Sequence, residues 1–209
     1  MLFSSFPSNP YCMRRRIKVV VVGDEKTGKT SLVHSFVHQE PIGRLTHIDP
    51  VEIEMNIDNK EYTLEICDTT GRGDFERLRI LHYPNTHVFL ICFSCENKGS
   101  HSSIPTCWIP ELNHHCPNSR YYFLCTKVDL RTNQREEDRG THSSGGGFLT
   151  KEDGELLANK FHACKYFETS ALTGFGNREL LEELCRFNKY AIPYLLLHQI
   201  GSKKKCLIA

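Results

Sequence analysis

Lys29 and Thr30 close the segment Gly23-Asp24-Glu25-Lys26-Thr27-Gly28-Lys29-Thr30-Ser31, which fits G-x-x-x-x-G-K-[ST]. The chemistry of that spacing is the binding of phosphate esters. Backbone N–H groups of a glycine-bearing loop, and of the helix that follows it, converge on anionic oxygens. Here Lys26, Thr27, Gly28 and Ser31 share that work with Lys29 and Thr30. The motif's lysine reaches the β- and γ-phosphates, and the hydroxyl after it ligates Mg²⁺. The apolar run Ile17-Lys18-Val19-Val20-Val21-Val22 leads straight into the loop, as a buried strand that delivers it. The pattern specifies a nucleoside triphosphate. It is silent on the base and on hydrolysis.

Three further segments could complete such a site. Asp68-Thr69-Thr70-Gly71 ends the strand-like run Tyr62-Thr63-Leu64-Glu65-Ile66-Cys67. Thr126-Lys127-Val128-Asp129 follows the buried-strand pattern Tyr121-Tyr122-Phe123-Leu124-Cys125. An Asp carboxylate can accept two hydrogen bonds at once, from the N1–H and the 2-amino group of guanine; adenine lacks that donor pair. Glu168-Thr169-Ser170-Ala171-Leu172 comes last.

In this order and spacing the four segments resemble those of the Ras-superfamily GTPases, over roughly residues 15–195. The resemblance implies GTP or GDP and Mg²⁺ as ligands. It implies that Asp68 holds Mg²⁺ through water and that the Gly71 N–H senses the γ-phosphate. Thr126, Lys127 and Asp129 would take the guanine, with Ser170, Ala171 and Leu172 closing over it and the Ala171 N–H meeting O6. Thr46 stands where a second Mg²⁺- and γ-phosphate-sensing Thr is expected, so Thr30 and Thr46 are the candidate metal ligands.

Within the superfamily the chain is most similar to the Rho branch. Arg77-Leu78-Arg79-Ile80-Leu81-His82-Tyr83-Pro84-Asn85-Thr86 looks like R-L-R-P-L-S-Y-P-x-T, and Ile104-Pro105-Thr106-Cys107-Trp108-Ile109-Pro110-Glu111-Leu112 fits I-P-x-x-W-x-P-E-[VL]. Thr126-Lys127-Val128-Asp129-Leu130-Arg131 and Ser170-Ala171-Leu172-Thr173 resemble Rac-like members. Residues 131–150 occupy the place of the Rho insert, but Gly140 and Gly145-Gly146-Gly147 oppose a helix there, at about 1 kcal/mol each against Ala.

The chain departs from the family around the hydrolytic water. Glu25 replaces a Gly of the loop, Thr70 an Ala, and Arg72 the Gln that orients the water. Arg72 therefore stands in the catalytic place without the acceptor the reaction uses. It could serve as an internal arginine finger, or hydrolysis could be impaired. Gln39 to Leu45 also lacks the aromatic that covers guanine in the family, and His47-Ile48-Asp49-Pro50-Val51 differs from the usual effector loop V-F-E-N-Y.

The C-terminus suggests a membrane. Lys203-Lys204-Lys205 precedes Cys206-Leu207-Ile208-Ala209, a C-a-a-X pattern whose final Ala favours farnesyl on Cys206. One prenyl chain anchors marginally, and each Lys near anionic lipid adds roughly 1 kcal/mol. This predicts the cytoplasmic face of the plasma membrane or internal membranes, with a cytosolic pool.

Composition fits one domain. The 209 residues carry a formal net charge of +1, with no basic stripe for nucleic acid. The ten cysteines read as reduced thiols, with Cys67, Cys92 and Cys125 in apolar strands, and His114-His115-Cys116 reads as a solvated helix end. No run reaches the ~18 apolar residues of a membrane span. Residues 1–14 read as a floppy extension, 15–195 as the domain and 196–209 as a polybasic tail.

Strands are expected at 17–22, 51–56, 61–67, 88–94, 121–125 and 166–168, and helices at 29–38, 74–82, 103–115, 150–163 and 178–190. Such alternation, with the resemblance, gives an α/β P-loop NTPase fold. Its six-stranded sheet is mostly parallel, with helices on both faces and ligand loops at the strand C-termini. Expected partners are downstream effectors, exchange factors and a Rho-type dissociation inhibitor around a monomer. Three functional readings stay open: a slowly hydrolysing membrane switch, an ordinary cycling GTPase, and a nucleotide-poor interaction module.

Overall fold

The computed structural model describes residues 15–37, 50–131 and 147–186. Six strands form one sheet: β1 Arg15–Val22, β2 Val51–Ile57, β3 Lys60–Asp68, β4 Val88–Ser94, β5 Tyr121–Thr126 and β6 Lys165–Glu168. Their order is β2-β3-β1-β4-β5-β6. Only the β2–β3 pair is antiparallel; the other four pairings are parallel. Asp58 and Asn59, both with positive φ, make the two-residue turn of that hairpin.

The parallel strands are covered on both faces, which is why they read as continuous apolar runs. Alternate residues of β1 divide between two cores. Ile17, Val19 and Val21 pack with Leu32 and Val33 of helix α1 (Lys29–Ser35) and with Leu180 and Leu184 of a closing helix over 177–186. Val20 and Val22 pack on the other face with Phe89, Ile91, Trp108 and Leu112.

The strands lie within a residue or two of expectation; the helices depart more. The expected helix 29–38 ends at Ser35, whose hydroxyl donates back to the Leu32 carbonyl and competes with the helical ladder. The expected helix 74–82 breaks into a 3₁₀ turn Gly73–Phe75, a four-residue helix α2 (Glu76–Arg79) and a second 3₁₀ turn Ile80–His82. Helix 103–115 starts earlier. The Asn97 side chain accepts from the Ser100 N–H and caps α3 (Lys98–Ser103). A π turn over Ile104–Trp108 then leads into α4 (Ile109–His115). Pro105 and Pro110 remove donors from the ladder along this stretch, where the Ile109 N–H bonds the Ile104 carbonyl in a wider i→i+5 turn. Helix α5 runs Lys151–Lys160, fixed at its start by a capping box between Thr150 and Asp153. Of the helix expected at 178–190, residues 187–190 lie outside the described residues.

The described ends of the 131–150 segment are tied to the domain. Arg131 is helical and packed into the domain, and the buried Leu149 donates its N–H to the Cys95 carbonyl. Residues 132–146, the extension 1–14 and the tail lie outside the described residues.

The described cysteines are free thiols. Burial pushes Cys92 up to about 12 and raises Cys67, so neither forms thiolate readily. Cys92 and Cys95 do stand at C-x-x-C spacing, yet three residues along a strand path turn them to opposite faces of the sheet. They belong to different cores.

Candidate functional site

The loop after β1 is held in a shape that few residues other than glycine accept. Gly23 has φ 140°, and a Cβ there would lie 2.2 Å from the Cys92 carbonyl oxygen. Lys26 takes a left-handed φ of 65° in the same loop, and Lys127 takes 59° in the loop after β5. Such conformations persist where surrounding structure over-determines them, commonly at ligand sites.

Buried hydrogen bonds close the first loop around its own carbonyls. Lys29, only 5% exposed, donates Nζ to the Asp24 carbonyl at 2.7 Å, and the Thr27 hydroxyl donates to the same oxygen at 2.9 Å. Burial pulls the Lys29 ammonium below its usual range, and Asp68 and Asp24 oppose that shift. An arriving anion would favour the charged form further. The Asp24 carboxylate reaches away from the loop. It accepts from Ser103 Oγ and from Trp108 Nε1, each at 2.7 Å.

Thr30 and Asp68 meet across the sheet. Thr30 Oγ1 lies 2.5 Å from Asp68 Oδ2. A hydroxyl and a carboxylate are hard oxygen donors, the set Mg²⁺ selects, so this pair fits that ion. Thr46 lies outside the described residues. Among the described residues no group of three or more His, Cys, Asp or Glu could hold a metal.

Gly71 lies flush on the first loop. A Cβ on it would sit 2.4 Å from Gly23 O, Asp24 C and Glu25 N. Glu25 and Arg72, two of the three exposed residues at which the motif pattern breaks, therefore flank one point of contact. Arg72 keeps to its own segment: it pairs with Asp74 at 4.0 Å, lies over the Phe75 ring at 5.4 Å and donates its backbone N–H to Thr70 Oγ1.

Thr126 to Asp129 and Ser170 to Leu172 assemble beside the loop. The Thr126 hydroxyl lies 2.5 Å from the Thr27 carbonyl, tying the end of β5 to the phosphate loop. The Lys127 side chain passes over Gly28, and its Nζ pairs with Glu96 at 2.5 Å. Asp129 Oδ1 accepts from Ser170 Oγ at 2.5 Å, joining the loop after β5 to the one after β6. A cavity of about 300 Å³ opens between them, lined by Gly28, Ser31, His34, Lys127, Asp129 and Ala171 among others. Leu172 also lines it and is otherwise exposed.

All the described residues expected at the site thus come to one end of the sheet, at the strand C-termini. The sequence reading missed Asp24 as an anchor, His34 as a pocket residue, and the Arg79–Glu111 pair behind Thr70 and Arg72. Arg79 and Glu111 were visible in motifs, but nothing local in sequence says that they meet.

A strand–loop–helix phosphate cradle joined to a second, base-sized pocket defines a P-loop nucleotide-binding protein. A family model described as the Ras family matches residues 18–189. The chain belongs to the Ras family, and it is a small GTP-binding switch protein.

Proposed function

We propose that this protein is a Rho-like, membrane-anchored switch that binds GTP with Mg²⁺ and hydrolyses it slowly, so that it rests in the GTP form. The observation that carries the slow hydrolysis is the seating of Gly71 on Asp24 and Glu25. In this reading Glu25 and Arg72, which flank that contact in the chain, border the place of the γ-phosphate. Arg72 can stabilise charge there but cannot accept a proton from water. A carboxylate 4 Å from phosphate costs about 4 kcal/mol at an effective dielectric of ~20, which Lys29, Lys26 and the metal offset.

In this reading Lys29 and the loop N–H groups hold the phosphates. Thr30 and Thr46, with Asp68, would hold Mg²⁺, which would neutralise phosphate charge. Asp129 reads the guanine edge, with Thr126 and Lys127 shaping its loop and Ala171 meeting O6. The Rho assignment rests on the second-switch and I-P-x-x-W motifs, which supply Arg79, Trp108 and Glu111. Farnesyl on Cys206 and the three tail lysines hold the protein on cytoplasmic membrane faces. Effectors and regulators act there, exchange factors and a Rho-type dissociation inhibitor among them.

The nucleotide that co-purifies with the protein tests the reading. GTP is expected. GDP would make it an ordinary cycling GTPase, and an empty site an interaction module. Asp129→Asn should shift preference toward xanthine nucleotides, whose 2-oxo group accepts where guanine donates. Equal displacement of fluorescent GDP by ATP and by GTP would overturn the base assignment.

A further inference from the structure

The two base-reading loops are joined by two rungs. Asp129 meets Ser170 at 2.5 Å, inside the site. Two residues further on one side and two residues back on the other, Arg131 meets Glu168 at 2.7 Å. The second rung lies behind the site, with its side chains 18% and 16% exposed.

That rung is braced from both strands. Glu168 Oε1 also accepts from the Tyr166 hydroxyl at 2.8 Å, and Arg131 Nη2 donates to Cys125 Sγ at 3.3 Å. Tyr166 is packed against α5. Its ring lies so close to Gly154 of α5 that a Cβ there would be 2.3 Å from Cζ. Between the rungs run two backbone hydrogen bonds, Thr169 N–H to Cys125 O and Val128 N–H to Thr169 O.

We infer that Arg131 and Glu168 are positioning residues for guanine recognition: their ion pair fixes the angle at which Asp129 presents both carboxylate oxygens. The inference rests on the base reading proposed above. Matching N1–H and the 2-amino group together needs two oxygens held in one plane. Arg131 sits two residues past Asp129 in the same helical turn, so a shift of Arg131 would be passed to it. A loosened carboxylate keeps one hydrogen bond and loses the second. An inosine nucleotide, lacking the 2-amino group, uses only one and is less sensitive.

The experiment compares the dissociation constants of GDP, IDP and ADP for the full chain and for Arg131→Met, Arg131→Lys and Glu168→Gln. In the unmodified protein GDP should bind tighter than both others; if ADP equals GDP, the base reading itself fails. Given that preference, Arg131→Met should cut the preference for GDP over IDP about fivefold, the worth of one ordinary hydrogen bond. Arg131→Lys should restore part of it. Glu168→Gln preserves shape and a Tyr166 acceptor, so it reports the charge alone even if Arg131→Met folds poorly. An unchanged GDP:IDP ratio in Glu168→Gln, with both nucleotides weakened equally or not at all, would overturn the positioning role.

Discussion

Arg79 and Glu111 form a bidentate ion pair, with Nε and Nη2 at 2.9 and 2.6 Å from the two carboxylate oxygens. Both side chains are buried, at 3% and 8% exposure. Glu111 also accepts from the Tyr83 hydroxyl, and the guanidinium lies 4.7 Å over the Trp108 ring. The third nitrogen of Arg79 donates to the carbonyls of Thr70 and Arg72. One side chain thus fixes the backbone on both sides of Gly71 to helix α4.

Removing one partner of such a pair leaves a buried charge uncompensated. Arg79→Met should destabilise the nucleotide-saturated protein by about 3–5 kcal/mol in urea unfolding. The double variant Arg79→Met with Glu111→Leu should be more stable than Arg79→Met alone, because the stranded carboxylate is gone. A double variant that is worse than the single would show that the pair's charges do not compensate one another.

Slow hydrolysis is expected from the proposed roles of Glu25 and Arg72. Single-turnover GTP cleavage should run at or below the order of 10⁻⁴ s⁻¹, and a Rho-type activating protein should change it little. Glu25→Gly combined with Arg72→Gln should raise the stimulated rate at least ~10-fold, since an oriented water and an unobstructed loop are restored. Strong activation of the unmodified protein would mean that Arg72 already acts as an internal finger.

Acid should weaken the fold through His87. Its Nδ1 accepts the Lys18 backbone N–H at 2.9 Å, which requires the neutral ring. Burial lowers its pKa from the ordinary 6.5. The unfolded chain therefore takes up this proton first as pH falls. The stabilisation is complete above 6.5 and is lost below it, until the folded form also titrates. One such group gives a slope of at most about 1.4 kcal/mol per pH unit. His87→Asn, whose amide oxygen can take the same N–H, should flatten the melting temperature between pH 6.5 and 5 relative to the parent.

Membrane attachment is expected to fail in Cys206→Ser. With a tag at the N-terminus, that variant should be wholly cytosolic. Neutralising Lys203 to Lys205 should leave the protein lipidated but weakly held, and more so in high salt as the Debye length shortens. Undiminished membrane signal in Cys206→Ser would place the anchor elsewhere, with Cys12 the next candidate.

What could be read in sequence was local. The phosphate loop, Asp68 to Gly71, Thr126 to Asp129 and Ser170 to Leu172 are contiguous segments whose spacing states their chemistry, and the sheet follows from the apolar runs that carry them. Contacts between segments could not be read. Thr126 bonds Thr27 across 99 positions, and Arg79 bonds Glu111 across 32. Helix ends were lost for a different reason. They turn on single side-chain bonds, such as Asn97 capping α3 and Ser35 unwinding α1, which hydrophobic periodicity does not register.

The Asp24 side chain closes a circuit. From the phosphate loop it grips Trp108; Trp108 lies under Arg79; Arg79 holds the carbonyls of Thr70 and Arg72; and Gly71 between them rests back on Asp24. A hoop of this kind has no free end. The segment around Gly71 cannot lift from the phosphate loop unless a link opens or the helix from Lys98 to His115 travels with it. A displacement of the Gly71 segment with every link intact would therefore be carried through Arg79 to Glu111 and α4.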